Sequence, residues 1–280
     1  MKASPLQKAD PEDGLFRALP EPGHFQPSVL TGGPWDPRHQ HGGAVSGLLT
    51  HCVDQIPAPV PMRLTRITIE MFRGVPLTPL RVETRTLRSG KRIQSVEANL
   101  FDGTTQVARA TALRMRRDAS LSEVATKIPV ASEVESRPEL TLSLATAPRF
   151  VEGSMPIPGF IRSVELSSFR TNVREGVPAT VWARLLCRVV EGEETSPTVR
   201  LATLVDFASG TGSSLDYLRF TSINPDLTIH VLREPVSDWI AIHGTTDFAA
   251  DGIGQSSASI YDEQGLVARV QASLLLDRRG

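Results

Sequence analysis

The chain has 280 residues, 40% of them hydrophobic and 22% charged, with a formal net charge of −1. This is the balance of a globular protein of one large or two ordinary domains, and it gives no reason to expect nucleic acid or an anionic membrane as partner. No apolar run approaches the ~20 residues that cross a bilayer, and the first residues lack the apolar stretch of a secretory signal, so no membrane insertion and a cytoplasmic location are expected.

Residues 1–22 are polar and proline-rich and are expected to be flexible, apart from a turn around Leu15 to Leu19. Residues 24–30 read as an edge strand, because Pro27 removes a ladder donor. Gly32-Gly33-Pro34 signals a turn. From Gly43 to Gln55, Val45, Leu48, Leu49, Cys52 and Val53 recur at helical spacing with few polar interruptions, which predicts a buried helix. Pro57, Pro59 and Pro61 end it. Strands with period-two alternation follow at 63–72, 80–88, 92–101 and 106–116, with turns at Ser89-Gly90-Lys91 and Asp102-Gly103-Thr104.

Residues 118–158 are rich in Pro, Ser and Glu and weakly periodic, and a connection this long argues for a domain boundary. Strands are predicted at 160–170 and 179–190. Ser196-Pro197 reads as an N-cap followed by proline at the first helical position. The helix then carries Val199, Leu201, Ala202, Leu204, Val205 and Phe207 as far as Gly210. Strands at 217–223, 226–233, 238–248, 254–262 and 266–277 complete the chain. Cys52 and Cys187 lie in apolar segments of different halves and read as buried free thiols.

The halves superimpose as sequences. FRGVP at 72–76 matches LREP at 232–235, and FDGTTQVARATALRM at 101–115 matches YDEQGLVARVQASLLL at 261–276. One unit, a helix followed by antiparallel strands, is thus present twice: residues 23–117, then 159–280 after the linker.

Two places invite chemistry. His41-Gly42-Gly43 opens the first helix, where unpaired N–H groups and the positive dipole end suit a developing oxyanion, with His41, Gly42, Gly43 and Ala44 as candidates. Asp206 lies in the apolar second helix, where an ionised carboxylate is costly unless hydrogen-bonded; it reads either as a helix-end cap or as a functional acid. No His/Cys/Asp spacing suggests a metal, and no G-x-S-x-G elbow is present.

These features resemble a double-hotdog acyl-CoA thioesterase of the acyl-CoA thioesterase II kind. The resemblance is carried by Trp35 with His41-Gly42-Gly43, RGVPL at 73–77, the strand pair around Gly90, Leu204-Val205-Asp206-Phe207 and IYDEQGLVARVQASLLL at 260–276, and it spans residues 14–277. It implies an α+β fold of two tandem antiparallel sheets, each wrapped around a central helix. It implies hydrolysis of acyl-CoA to free acid and CoA, with fatty acid metabolism as context and CoA as part of the substrate rather than a cofactor. Asp206 would activate the water, held by Gln271 and by a third polar group, Thr228 or Asn224, while His41 organises the loop. Further homo-oligomerisation is expected by symmetry. The alternatives are a hotdog enoyl-CoA hydratase using Asp36 and His41, or a non-catalytic acyl-CoA or acyl-carrier binding protein.

Overall fold

A computed structural model of the protein describes residues 9–10, 12–137, 159–167 and 176–279. In chain order the strands are β1 (Gly14–Ala18), β2 (His24–Pro27), β3 (Met62–Met71), β4 (Leu80–Ser89), β5 (Ile93–Asp102), β6 (Thr105–Arg116), β7 (Val164–Ser167), β8 (Ala179–Leu185), β9 (Arg188–Val190), β10 (Phe220–Ile223), β11 (Asp226–Val231), β12 (Trp239–Phe248), β13 (Ile253–Asp262) and β14 (Gly265–Arg278). The helices are α1 (Gly42–Asp54), α2 (Gly159–Arg162) and α3 (Pro197–Leu204), and α3 runs on into a 3-10 turn over Val205–Ser209.

Among the described residues all the strands belong to one sheet, in the order β7-β8-β12-β13-β14-β11-β3-β6-β5-β4-β2-β1-β9, with β10 on β14. The two halves join where β11 pairs antiparallel with β3, placing Thr228 opposite Thr68, Leu227 opposite Ile69 and Ile229 opposite Ile67. Thr68 and Thr228, 160 residues apart, are equivalent positions of the repeat, so a local two-fold axis passes between them. The far ends of this order are also linked. β8 and β9 are separated by two residues, and β9 pairs in parallel with β1, Phe16 opposite Val190. One stretch of chain therefore ties both ends of the sheet together around α1 and α3 and leaves little free edge.

The helices sit side by side inside. A Cβ at Gly47 would overlap the Thr203 hydroxyl, and one at Gly43 would meet the Thr203 carbonyl at 2.5 Å. Glycine is required there for the close approach. The α1 C-terminus is held by Arg114 from β6: Nη1 donates to the Ile56 carbonyl at 2.6 Å and Nη2 to that of Val53, while Gln94 takes the Pro57 carbonyl at 2.8 Å. A cation among the last carbonyls of a helix answers both the orphan acceptors and the dipole.

Several sequence expectations need correction. The turn expected around Leu15 to Leu19 is instead the strand β1, with Leu15 and Phe16 fully buried. β2 is not an edge, since it lies between β1 and β4. Pro27 is tolerated because the ladder to β4 stops at His24 and Phe25, so its missing donor breaks nothing on that side. The expected strand at 160–170 begins as α2, and only Val164–Ser167 is extended, with 168–170 outside the described residues. The linker, described as far as residue 137, packs on the outside of the second half. Val134 joins Trp182, Trp239, Tyr261 and Leu266 in a separate apolar cluster, and Trp182 Nε1 donates to the Glu135 carbonyl at 2.7 Å.

Candidate active site

The end of α3 and the start of α1 meet where the two halves touch. Ser196 caps α3 by accepting from the Val199 N–H at 3.3 Å, with Pro197 in the first turn as the sequence predicts. The tighter 3-10 turn that follows swings Asp206 toward the first turn of α1. Asp206 is 3% exposed. Its Oδ2 lies 2.9 Å from His41 Nδ1, and its Oδ1 accepts from Asn224 Nδ2 at 2.8 Å. Gly42 is obligatory at this crossing, since a Cβ would sit 2.8 Å from Oδ1.

The proton arrangement follows from these distances. The Gly43 N–H lies 3.0 Å from His41 Nδ1 and also reaches the Asp206 carboxylate. Nδ1 cannot accept from Gly43 and donate to Asp206 at once. An ionised carboxylate 2.9 Å from a bare ring nitrogen would be repelled, so Nδ1 carries the proton and Gly43 serves the carboxylate. Burial pushes the Asp206 pKa up, but the hydrogen bond and charge of His41, the Asn224 amide and the Gly43 N–H outweigh it and hold Asp206 below its ordinary value. It is a buried anion with three donors. In the neutral imidazole the proton on Nδ1 leaves Nε2 as a lone pair, and among the described residues Nε2 has no hydrogen-bond partner. The ring is clamped, stacked on Phe160 at 4.3 Å and tilted against Phe207 at 5.4 Å.

A cavity of about 390 Å³ opens over the pair, bounded by residues 33–42, by the turn at 71–75 and by Ile223 to Pro225. Asp206, His41, Gly42 and Asn224 all line it. Of the expected oxyanion donors, the Ala44 N–H is committed to the His41 carbonyl at 3.0 Å and the Gly43 N–H to Asp206, whereas that of Gly42 has no partner among the described residues.

Gln271 and Thr228 do not join this group. They stand opposite each other on β14 and β11, and their chain neighbours Val270, Ala272, Leu227 and Ile229 are the buried ones. Alternation therefore turns Gln271 and Thr228 to the outer face, where Thr228 meets Thr68 hydroxyl to hydroxyl at 3.1 Å. Of the two candidates for the third polar group, Asn224 is the one beside Asp206. The pair Asp36/His41 is not formed either. The Asp36 carboxylate is gripped by Arg38 at 2.7 and 3.0 Å, which holds it well below the usual carboxylate range, while His41 points to Asp206. Sequence reading missed that His41 pairs with Asp206. The two are 165 positions apart, and only the packing of α1 on α3 brings them together.

Two family models cover most of the chain. One, described as the acyl-CoA thioesterase N-terminal domain, matches residues 31–115; the other, the acyl-CoA thioesterase C-terminal domain, matches residues 134–276. Among curated proteins no match to the sequence is found. Among solved structures, the chain is similar to a conserved protein of unknown function with a hot dog fold from Alicyclobacillus acidocaldarius (TM-score 0.68, 12% identity, 97% of this chain and 98% of that one). It is similar also to the tesB protein of Mycobacterium avium subspecies paratuberculosis (0.66, 14%, 93% and 95%) and to the acyl-CoA thioesterase II TesB2 of Mycobacterium marinum (0.62, 15%, 95% and 96%). At these identities the likeness speaks to the fold, which is that of the hotdog proteins.

Proposed function

Because the chain belongs to the acyl-CoA thioesterase family, we propose that it hydrolyses its thioester with a water activated by the His41–Asp206 pair. The observation that carries this reading is the 2.9 Å contact between His41 Nδ1 and Asp206 Oδ2, made across the two halves. Asp206 fixes the ring with its lone pair on Nε2 and stabilises the imidazolium that forms. Water attacks the thioester carbon as its proton passes to Nε2. The Gly42 N–H, at the positive end of α1, receives the oxyanion. Collapse breaks the C–S bond, and the proton on Nε2 passes to the departing thiolate. This division of labour reverses the sequence expectation, which made Asp206 the base and His41 the organiser. An Asp206 saturated with donors is a weak base but a good partner for one.

The halves at 23–117 and 159–280 are read as tandem hotdog domains in a double hotdog. The repeated order of helix and strands and the local two-fold at Thr68/Thr228 support that division. Homo-oligomerisation and a cytoplasmic location stay with the proposal; sedimentation and cell fractionation test them.

Release of free CoA from an acyl-CoA series tests the mechanism. Both His41→Gln and Asp206→Asn are expected to lower kcat by about 10²–10⁴. Gln271→Ala, on the outer face, is expected to stay within about twofold, as for a surface change remote from the site. Full turnover by His41→Gln together with loss in Asp206→Asn would return the base to Asp206.

A further inference from the structure

The wall of the cavity leads from Trp35 onto a group of arginines that the mechanism does not use. The Arg279 guanidinium lies over the Trp35 ring, 5.5 Å from its centroid, and Trp35 in turn contacts Tyr217 at 5.7 Å. Arg279 Nε donates to the Tyr217 carbonyl at 2.8 Å, and its Nη2 has no hydrogen-bond partner. The Arg279 N–H donates to the Arg219 carbonyl at 2.9 Å. Arg219 and Arg278 both sit on the Phe220 ring, 5.5 and 5.4 Å from its centroid. Three cations thus gather around two aromatic rings. Among the described residues none of the three makes an ion pair, although Asp216 and Asp277 are close in sequence.

Like charges brought together without carboxylate partners are unfavourable unless an anion joins them. We propose that Arg219, Arg278 and Arg279 bind the phosphates of coenzyme A at the mouth of the active-site cavity. This rests on the acyl-CoA thioesterase reading and assigns the substrate's nucleotide end to named residues. The geometry fits the length of the molecule. β10 carries the chain from Arg219 to Asn224, the residue bonded to Asp206, and at about 3.3 Å per residue that separation is roughly 16 Å. The pantetheine arm, equivalent to four or five residues of extended chain, spans about 15 Å. A thioester held at His41 and Gly42 therefore places its diphosphate among the arginines, with guanidinium forks suited to phosphate oxygens.

Calorimetric binding of free CoA tests this without turnover. The double variant Arg219→Ala/Arg278→Ala, both positions exposed and outside the catalytic group, is expected to bind CoA about tenfold more weakly or worse. Its affinity for pantetheine should be unchanged, and the salt dependence of CoA binding should be reduced. Arg219→Lys/Arg278→Lys should recover most of the affinity, and an unshifted melting temperature establishes that the fold is intact. Unchanged CoA affinity in the alanine variant, or an equal fall for CoA and pantetheine, would overturn the assignment. So would an effect confined to hydrolysis of an acyl-carrier-protein thioester. Arginine-dependent CoA binding without CoA release would uphold it and count against the hydrolytic reading, whereas hydrolysis with arginine-independent binding would do the reverse.

Discussion

Asp206 remains charged while almost completely enclosed because His41, Asn224 and the Gly43 N–H take the place of its water. Two donors come from the start of α1, its N-cap His41 and first-turn Gly43, and the third from the loop between β10 and β11 in the other half. The anion is thus also a fastener. Since its folded pKa is depressed, it contributes stability that is fully present above the unfolded carboxylate value of about 3.9 and lost as pH falls through the folded value. The wild type should therefore lose melting temperature on acidification below about pH 4 more steeply than Asp206→Asn, so that the two curves converge. Parallel curves in thermal scans between pH 3 and 7 would show that the carboxylate is not ionised in the folded protein. His41 and Asp206 were both visible in the sequence as unusual residues. Their relation was not, because a pairing between residues so far apart carries no local signature.

At the scale of the element, α1 shows how the repeat diverged. In the first half Arg114 is 5% exposed and bonds the carbonyls of Val53 and Ile56 at the helix end. Its equivalent in the second half is Leu274, fully inside, and there the helix runs on into the 3-10 turn that carries Asp206. One helix is capped by a cation; the other runs on into the turn that sets Asp206 against His41. Arg114→Met keeps much of the volume and removes the donors. It is expected to destabilise the protein by about 2–4 kcal/mol, through orphaned carbonyls and loss of the charge at the helix C-terminus, which denaturant melts will measure. A change below about 0.5 kcal/mol would mean that water replaces the guanidinium. The strands themselves were well marked by period-two alternation, and β3 to β6 and β11 to β14 fall within a few residues of expectation. β1 was missed, since its five residues show no alternation and its burial depends on β2 and β9.

The whole molecule is a sheet completed from both ends. β3 meets β11 at the local two-fold, and β9 crosses to β1. Neither half keeps both of its edges covered alone, and neither holds the His41–Asp206 pair, because His41 belongs to one and Asp206 to the other. Residues 1–117 expressed alone should expose the β3 edge and aggregate, while co-expression with residues 118–280 should restore a soluble complex and CoA release. A monomeric, cooperatively melting first half would show that the seam adds little to its stability. The sequence by itself determined the long strands β3 to β6 and β11 to β14 and the two main helices, because alternation, helix caps and turn residues act over a few positions and are written where they act. Only the tertiary structure decided which of the marked residues stand together. A one-residue change of phase along a strand moves a side chain from one face to the other, so Gln271 and Thr228 fell outside, while the crossing of α1 and α3 over Gly42 and Gly43 put Asp206 against His41.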